Sequence, residues 1–222
     1  MTPRALVFDA YGTLFDVHSV QTRSDAFWPA RGAELSRLWR AKQLEYTWQR
    51  GLMQRYAPFS QVTREALQYA CEALKLELDE ARTESLLRQY LRLALYPDVT
   101  AALERLKSCR VAVLTNGSPD MIDPLVRNCG LGRAFDAVLS VDEVKVYKPA
   151  PQVYRFAAER LDLAPSEIGF VSSNCWDAIG AKSFGFAVWW INRGEAPIDR
   201  TGFKPDAVLA GLGELPDRLG LQ

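Results

Sequence analysis

Strand-like and helix-like segments alternate from residue 99 to residue 209, and this alternation limits the possible folds more than any other feature. Short apolar runs typical of buried strands lie at 110–115, 137–141, 168–171, 187–191 and 206–209. Helices are predicted between them, at 99–107, from 119 to Gly130, at 151–161 and at 177–184. Strands and helices that alternate with short links predict an α/β fold with a parallel, doubly wound sheet.

The apolar run from Ala5 to Phe8 predicts one more strand of this sheet, and the carboxylate of Asp9 follows it directly. Open α/β sheets bind their ligands beyond the carboxyl ends of the strands, so this position suits a functional carboxylate. A turn aspartate that caps the next segment would give the same local sequence. Gly12 can turn the backbone after Asp9, and Thr13 adds a small hydroxyl.

The long segment between the first strand and residue 96 has no strand-like stretch. Apolar residues at helical spacing predict a helix over 33–53. Ser60 is expected to cap a second helix that runs to Leu74, and Asp79 a third that runs to about residue 95. We therefore expect an α/β core of residues 1–15 and 96–222 and an inserted all-helical domain of residues 16–95.

Composition excludes several classes of function. Lys plus Arg and Asp plus Glu both count 27, and the absence of a basic run argues against binding to nucleic acid or an anionic membrane. The first strand leaves no room for a signal peptide, no apolar run could span a bilayer, and the four cysteines lack metal-type spacing, so a cytoplasmic protein is expected. His18 is the only histidine, which leaves acid–base chemistry mainly to carboxylates and lysines.

Polar residues follow the predicted strands one after another. Parallel strands end at one edge of the sheet, so these residues should converge on a single crevice. Each has an ordinary alternative, since Asn116 precedes a glycine in a common turn pair, Lys148 could be a solvated loop lysine and Asp177 a helix cap. Their joint occurrence at successive strand ends favours one site that can attack, hold an anion and move a proton. The set is Asp9, Thr115–Ser118, Lys148 and Ser172–Asp177.

Five sequence strings carry a resemblance to a known family. DAYGTLFDVHSV, LWRAKQLEYTW, NGS, VYKP and VSSNCWDA occur in this order and resemble the L-2-haloacid dehalogenases of the haloacid dehalogenase superfamily. The resemblance covers nearly the whole chain and implies a Rossmann-like core with a helical cap domain inserted after the first motif. Thr115 stands where a serine is expected in relatives, which adds a methyl group to the pocket.

The sequence departs from the phosphatases of the same superfamily at two places. Those enzymes carry a second Asp two residues after the nucleophile, where this chain has Tyr11, and a late acidic pair for Mg²⁺, of which only Asp177 remains. So few carboxylates suit a hard cation poorly, and phosphoryl transfer depends on that cation. We therefore expect no metal and no cofactor. A metal-dependent small-molecule phosphatase is the alternative, and a binding protein without activity is a third hypothesis.

The resemblance implies a two-step hydrolysis of a short L-2-haloalkanoate. Asp9 attacks C2, expels the halide and forms an ester, which is nucleophilic catalysis by a carboxylate. Water activated by Asp177, with Lys148 as its charge partner, then cleaves the ester and leaves the D-2-hydroxy acid. Thr13 is expected to orient Asp9, and Ser172 and Asn174 to position Asp177 and the water.

The resemblance also assigns the groups that bind the substrate and the halide ion. Arg40 and Asn116 would receive the halide, although periodicity alone does not separate Arg40 from the other arginines of its helix. Thr115, Lys148 and backbone N–H groups would hold the substrate carboxylate. Relatives of this type are commonly homodimers, so a homodimer is expected. The apolar pocket would consist of Tyr11, Leu44, Phe59 and Trp176.

Overall fold

The computed structural model describes residues 3–221, and residues 1, 2 and 222 of the predicted core lie outside the described residues. Within that range, the strands are β1 (Ala5–Phe8), β2 (Phe15–Asp16), β3 (Ala94–Leu95), β4 (Arg110–Thr115), β5 (Ala137–Ser140), β6 (Ile168–Ser172), β7 (Ala187–Ile191) and β8 (Ala207–Leu209). The helices are α1 (Gln21–Asp25), α2 (Gly32–Leu52), α3 (Phe59–Ala73), α4 (Glu80–Tyr90), α5 (Val99–Arg105), α6 (Pro119–Asn128), α7 (Pro151–Leu161), α8 (Cys175–Phe184) and α9 (Leu215–Arg218). Short 3₁₀ turns lie at Val17–Val20, Val141–Glu143, Pro165–Glu167 and Leu212–Glu214.

Six of these strands form one parallel sheet in the order β5-β4-β1-β6-β7-β8, which confirms the predicted doubly wound α/β fold. β1 pairs with β4 on one side and with β6 on the other, so that Phe8 lies between Val113 and Val171. All four residues of β1 are buried, which explains the uninterrupted apolar run. The strand order reverses at β1, and ligands of such sheets bind at this switch point. Asp9 follows β1 directly and therefore lies where sheets of this kind bind their ligands.

The long insert is mostly helical, as predicted, but two short strands mark its ends. β2 and β3 pair antiparallel, with Phe15 opposite Leu95 and Asp16 opposite Ala94. The expectation of no strand within residues 16–95 is therefore wrong at both ends. The chain enters the insert through β2 and leaves it through β3, and these two segments lie side by side and hydrogen-bond to each other. The domain boundaries at 15/16 and 95/96 stay a prediction.

Three helix boundaries differ from the predicted ones in the cap residue or by more than two residues. Pro58, not Ser60, is the N-cap of α3, and the Ser60 N–H donates to Ser118 Oγ at 3.2 Å. The Ser118 side chain thus accepts from one of the N–H groups in the first turn of α3 that have no partner within the helix. α4 does begin after Asp79, whose carboxylate accepts from Arg82 N at 2.7 Å, but it ends at Tyr90 instead of about residue 95. α8 begins at Cys175 with Asn174 as N-cap, so Asp177 is not the cap residue.

Candidate active site

The carboxylate of Asp9 lies at the end of β1, is 5% exposed, and is held mainly through one oxygen. Asp9 Oδ2 accepts from Asn174 Nδ2 at 2.7 Å, from Thr13 Oγ1 at 3.0 Å and from Ser172 Oγ at 3.3 Å. Gly12 supports this turn with φ of +89°, a conformation that favours glycine. The predicted contact of Thr13 with Asp9 is present in the structure.

Ser172 and Asn174 have a different partner from the one the sequence predicts. They were expected to position Asp177 and the attacking water, but both side chains donate to Asp9 Oδ2. The reason is the strand order, because β6 lies directly beside β1 and its end therefore meets the end of β1. Only the backbone carbonyl of Asn174 contacts Asp177, accepting from its N–H at 3.0 Å as part of the first turn of α8.

Lys148 joins the two predicted catalytic carboxylates. Its side chain is fully buried, and its Nζ donates to Asp9 Oδ1 at 3.0 Å and to Asp177 Oδ2 at 2.8 Å. Burial by itself lowers the pKa of Lys148, but the two carboxylates outweigh burial and raise the pKa above its ordinary value. The group is therefore an ammonium ion, and the alternative of a solvated loop lysine is wrong.

Asp177 lies fully buried in α8, with both carboxylate oxygens bonded. Oδ2 contacts Lys148, and Oδ1 accepts from Tyr154 OH at 2.7 Å. Burial raises the pKa of Asp177 to about 6, while the charge of Lys148 acts in the opposite direction. A carboxylate with such a pKa is ionised at neutral pH and is a better proton acceptor than an ordinary aspartate.

Tyr154 is a site residue that the sequence reasoning missed. It lies in α7, is fully buried, and packs against Phe170, Phe184 and Phe186, so its pattern is that of an ordinary core residue. Burial raises the pKa of Tyr154 well above its ordinary value, which keeps its hydroxyl a hydrogen-bond donor. No signal in the sequence separates it from the neighbouring core residues.

Arg40 reaches the active-site loop from helix α2 of the insert. Its guanidinium donates to the backbone carbonyl of Tyr11 at 3.3 Å and to Gln43 Oε1 at 2.7 Å. Gln43 is fully buried and donates in turn to Thr63 Oγ1 of α3 at 2.7 Å. By contrast, Arg50 on the same helix pairs with Glu65. The structure thus distinguishes Arg40 from Arg50 by its contact with the loop after Asp9, which helical periodicity could not do. It also shows Gln43 as a partner of Arg40 that the sequence did not predict.

The predicted pocket residues fall into two pairs. Tyr11 and Phe59 are buried and lie 5.5 Å apart between ring centroids. Trp176 is half-buried and packs edge-on against Trp48 of α2 at 5.6 Å. Leu44 is half-buried one turn after Arg40 on the same helix. The structure therefore brings Tyr11 and Phe59 together and sets Trp176 against α2, the helix that also carries Leu44.

The loop after β4 packs tightly against the rest of the site. Asn116 Oδ1 accepts from the backbone N–H of Lys148 at 3.0 Å, and Thr115 Oγ1 accepts from the N–H of Gly117 at 3.0 Å. A Cβ at position 117 would lie 2.7 Å from the Tyr11 ring, so the glycine is required by close approach and not only by the turn. Asn116 and Thr115 thus lie beside Lys148 and Tyr11, as the convergence of strand ends predicts.

The donor set does not fit the Mg²⁺ ion that phosphatases of this fold use. Each carboxylate of the site has one oxygen paired with the ammonium of Lys148 and accepts hydrogen bonds through the other. Within residues 3–221, no group of three or more His, Cys, Asp or Glu side chains could hold a metal ion. Hard cations need several oxygen ligands, and this site offers two carboxylates already paired with a cation.

A parallel α/β sheet with a buried Asp–Lys–Asp network at its switch point defines the class of the protein. The chain belongs to the haloacid dehalogenase-like hydrolases, whose family model matches residues 3–185. More particularly, it is 47% identical over 218 residues to (S)-2-haloacid dehalogenase 2 of Pseudomonas sp. strain CBS-3, covering 97% of this chain and 95% of that protein. It is 50% identical over 211 residues to the (S)-2-haloacid dehalogenase of Pseudomonas sp. strain YL, covering 94% and 91%.

Solved structures agree with this placement. The L-2-haloacid dehalogenase of Xanthobacter autotrophicus with chloropropionic acid covalently bound superposes with a TM-score of 0.93, at 43% identity over 98% of each chain. These comparisons confirm the family and the class of carbon–halide hydrolase that the sequence motifs predicted. The phosphatase alternative is not favoured by any of them.

Proposed function

We propose that this protein hydrolyses short L-2-haloalkanoic acids to D-2-hydroxy acids and halide through an ester on Asp9. One observation carries the proposal: a single buried ammonium, that of Lys148, contacts both the Asp9 carboxylate at the end of β1 and the Asp177 carboxylate in the first turn of α8. The relatives named above act on 2-haloacids, and one of them carries chloropropionic acid covalently.

In the first half-reaction Asp9 Oδ1 attacks C2 from the face opposite the halogen. Oδ2 already accepts three hydrogen bonds, whereas Oδ1 has only the contact with Lys148, so Oδ1 keeps lone pairs for a new bond. The C2–O bond forms as the carbon–halogen bond breaks, and the halide leaves with the electron pair. Arg40 and Asn116 stabilise the departing charge. Thr115, Lys148 and backbone N–H groups hold the substrate carboxylate within the pocket formed by Tyr11, Leu44, Phe59 and Trp176.

In the second half-reaction Asp177 takes a proton from water, and the resulting hydroxide attacks the carbonyl carbon of the ester. The buried position that raises the pKa of Asp177 to about 6 suits this role. Thr13, Ser172 and Asn174 donate to Asp9 Oδ2, the oxygen that becomes negative when hydroxide attacks, and Lys148, 3.0 Å from Oδ1, stabilises the charge that develops on Oδ1 as the ester bond breaks. The alkoxide of the product leaves and takes the proton from Asp177, and Asp9, formed as the acid, releases the second water proton to solvent and is regenerated as the carboxylate. The reaction inverts C2 and requires neither metal nor cofactor.

We propose further that residues 16–95 form a cap domain, that the protein is a cytoplasmic homodimer, and that it binds neither nucleic acid nor membranes. The balanced charge and the free state of the four cysteines support these proposals. Within residues 3–221 no helix has the length and apolar character needed to cross a bilayer. Light scattering coupled to size exclusion tests the dimer.

The decisive experiment separates dehalogenation from phosphatase activity. Halide released from L-2-chloropropionate in EDTA is expected, together with no hydrolysis of p-nitrophenyl phosphate in Mg²⁺; the opposite pattern would overturn the proposal. In a single turnover in H₂¹⁸O with enzyme in excess, the label should enter Asp9 and not the lactate. Label found directly in lactate would mean that water attacks C2.

Two variants then assign the half-reactions. Asp9→Asn, freshly purified and checked for deamidation, should release no halide. Asp177→Asn should release one halide per site and retain a stable mass increase on the peptide with Asp9, because a neutral amide is a poor base. Continued steady turnover of Asp177→Asn would assign the base to another group.

A further inference from the structure

Arg193 connects three separate segments of the chain at the edge of the active site. It lies two residues after the end of β7. One guanidinium nitrogen donates to Ser173 Oγ at 2.8 Å, and the other donates to the carbonyl of Thr13 at 3.2 Å and to Asp98 Oδ1 at 3.1 Å. The same guanidinium lies over the ring of Tyr96, 4.0 Å from its centroid. A planar guanidinium presents five donors on three nitrogens and can reach acceptors in different directions, whereas a lysine donates from a single nitrogen.

Two of these contacts lead directly to the nucleophile. The N–H of Ser173 donates to Thr13 Oγ1 at 2.8 Å, and Thr13 Oγ1 donates to Asp9 Oδ2 at 3.0 Å. Because the Thr13 oxygen accepts from Ser173, its proton is directed at Asp9. Arg193 binds the side chain of Ser173 and the backbone of Thr13, and therefore fixes both ends of the hydrogen bond that sets this direction.

The other two contacts lead to the segment where the chain returns from the helical insert. Tyr96 and Asp98 follow β3, and Tyr96 N donates to the carbonyl of Leu14 at 3.1 Å. Asp98 Oδ2 also accepts from the N–H of Leu212 at 2.6 Å, which anchors this carboxylate to the 3₁₀ turn that follows β8. The return segment and the nucleophile loop are thus joined through one guanidinium.

We propose that Arg193 is a positioning residue for the nucleophile. It acts on the orientation of the Asp9 carboxylate through Thr13 and couples that orientation to the segment that follows β3, which contains Tyr96 and Asp98. The inference rests on the proposed attack by Asp9. Arg193 contacts none of the groups assigned to the substrate or the halide. Its loss should therefore slow formation of the ester and leave the dissociation constant of the substrate and hydrolysis of the ester nearly unchanged.

The test is a single-turnover measurement of first-halide release from L-2-chloropropionate by Arg193→Gln and Arg193→Lys. Misplacing a reacting group by about 1 Å costs up to roughly a hundredfold in rate, so we expect Arg193→Gln to slow this step by about 10- to 100-fold, with the substrate concentration that half-saturates it within about threefold of wild type. Arg193→Lys should recover only part of the rate, because lysine keeps the positive charge but has a single nitrogen in place of the two guanidinium nitrogens that donate to Ser173 and Thr13. Arg110→Gln is the matched control, since Arg110 donates to the carbonyl of Leu161 away from the site and should leave the rate unchanged.

A double-mutant cycle separates positioning from a general loss of structure. If Arg193 acts through Thr13, then Arg193→Gln added to Thr13→Ala should slow the step by less than about threefold more. Ser173→Ala removes one contact of Arg193 and keeps the backbone N–H, so it serves as the mild variant if Arg193→Gln does not fold, with an expected slowing of roughly fivefold. Fully additive effects, or a wild-type first-halide rate in Arg193→Gln or Ser173→Ala, would overturn the inference. If the wild type itself releases no halide, the proposed function fails instead.

Discussion

Replacing Lys148 by Met should destabilise the fold strongly, because it removes the one cation between two buried carboxylates. The Nζ contacts of 3.0 Å and 2.8 Å place the facing oxygens of Asp9 and Asp177 within about 6 Å of each other, and two unit charges at that distance repel by roughly 3 kcal/mol at an effective dielectric constant of 20. Measured losses for broken buried ion pairs are about 3–5 kcal/mol. We expect a loss in this range at pH 7.5, measured by urea unfolding with tryptophan fluorescence.

The pH dependence of this loss checks its electrostatic cause. Without the ammonium, the pKa of Asp177, which burial already raises to about 6, rises further above the unfolded value of about 3.9. The folded variant then binds a proton before the unfolded chain does, so its stability rises as the pH falls. The difference from wild type should therefore shrink by about 1–2 kcal/mol between pH 7.5 and pH 5.

Two further variants control the experiment. Lys148→Met combined with Asp177→Asn removes the repulsion and should recover at least half of the lost stability. Lys182→Met breaks an ion pair with Asp206 whose side chains are 32% and 46% exposed, so it should cost under about 1 kcal/mol. A loss of the same small size for Lys148→Met, independent of pH, would refute the reasoning.

Three other expectations concern the base and the halide. Because burial raises the pKa of Asp177 to about 6 and the ionised form is the base, kcat should fall as the pH drops below about 6; a flat profile to pH 5 contradicts the assignment. Tyr154→Phe removes a donor that favours the ionised form of Asp177, so the same profile should shift to higher pH. Gln43→Leu releases Arg40, so halide release should slow by roughly fivefold for L-2-chloropropionate and less for L-2-bromopropionate, the better leaving group. Equal slowing would mean that Gln43 does not act through Arg40.

The main catalytic groups could be predicted from sequence because the fold itself gathers them. Asp9 follows a strand directly, Thr115 ends one, and both Lys148 and Asp177 come soon after one, and parallel strands bring such positions to one edge. The sequence also identified Asp79 as a helix cap, since the signal is local. The strand and helix pattern alone could not predict the hydrogen-bond partner of each catalytic side chain. The side chains of Ser172 and Asn174 contact Asp9 instead of Asp177 because of the lateral order of the strands, which no single segment encodes.

Residues recognised only through distant partners were missed. Tyr154 and Gln43 occupy buried helix positions, where an aromatic or amide side chain looks like any core residue until its partner is known. Arg193 is separated by 95 residues from Asp98 and by 180 from Thr13. The predicted helix cap at Ser60 was wrong for a related reason. The N–H of Ser60 lies in the first turn of α3 and donates to Ser118 Oγ from another part of the chain.

The central position of β1 has a consequence for the order in which the chain assembles. β1 is synthesised before both of its neighbours, yet it pairs with β4, about 105 residues later, and with β6, about 163 residues later. The helices between residues 21 and 90 depend mostly on nearby partners, such as the packing of α2 on α3, and local contacts form faster than distant ones. A nascent chain therefore carries an unpaired apolar strand until β4 emerges, and such strands promote association between chains. Fragments that end before residue 110 should aggregate, and the nucleophile acquires its surroundings only when β6 joins the sheet.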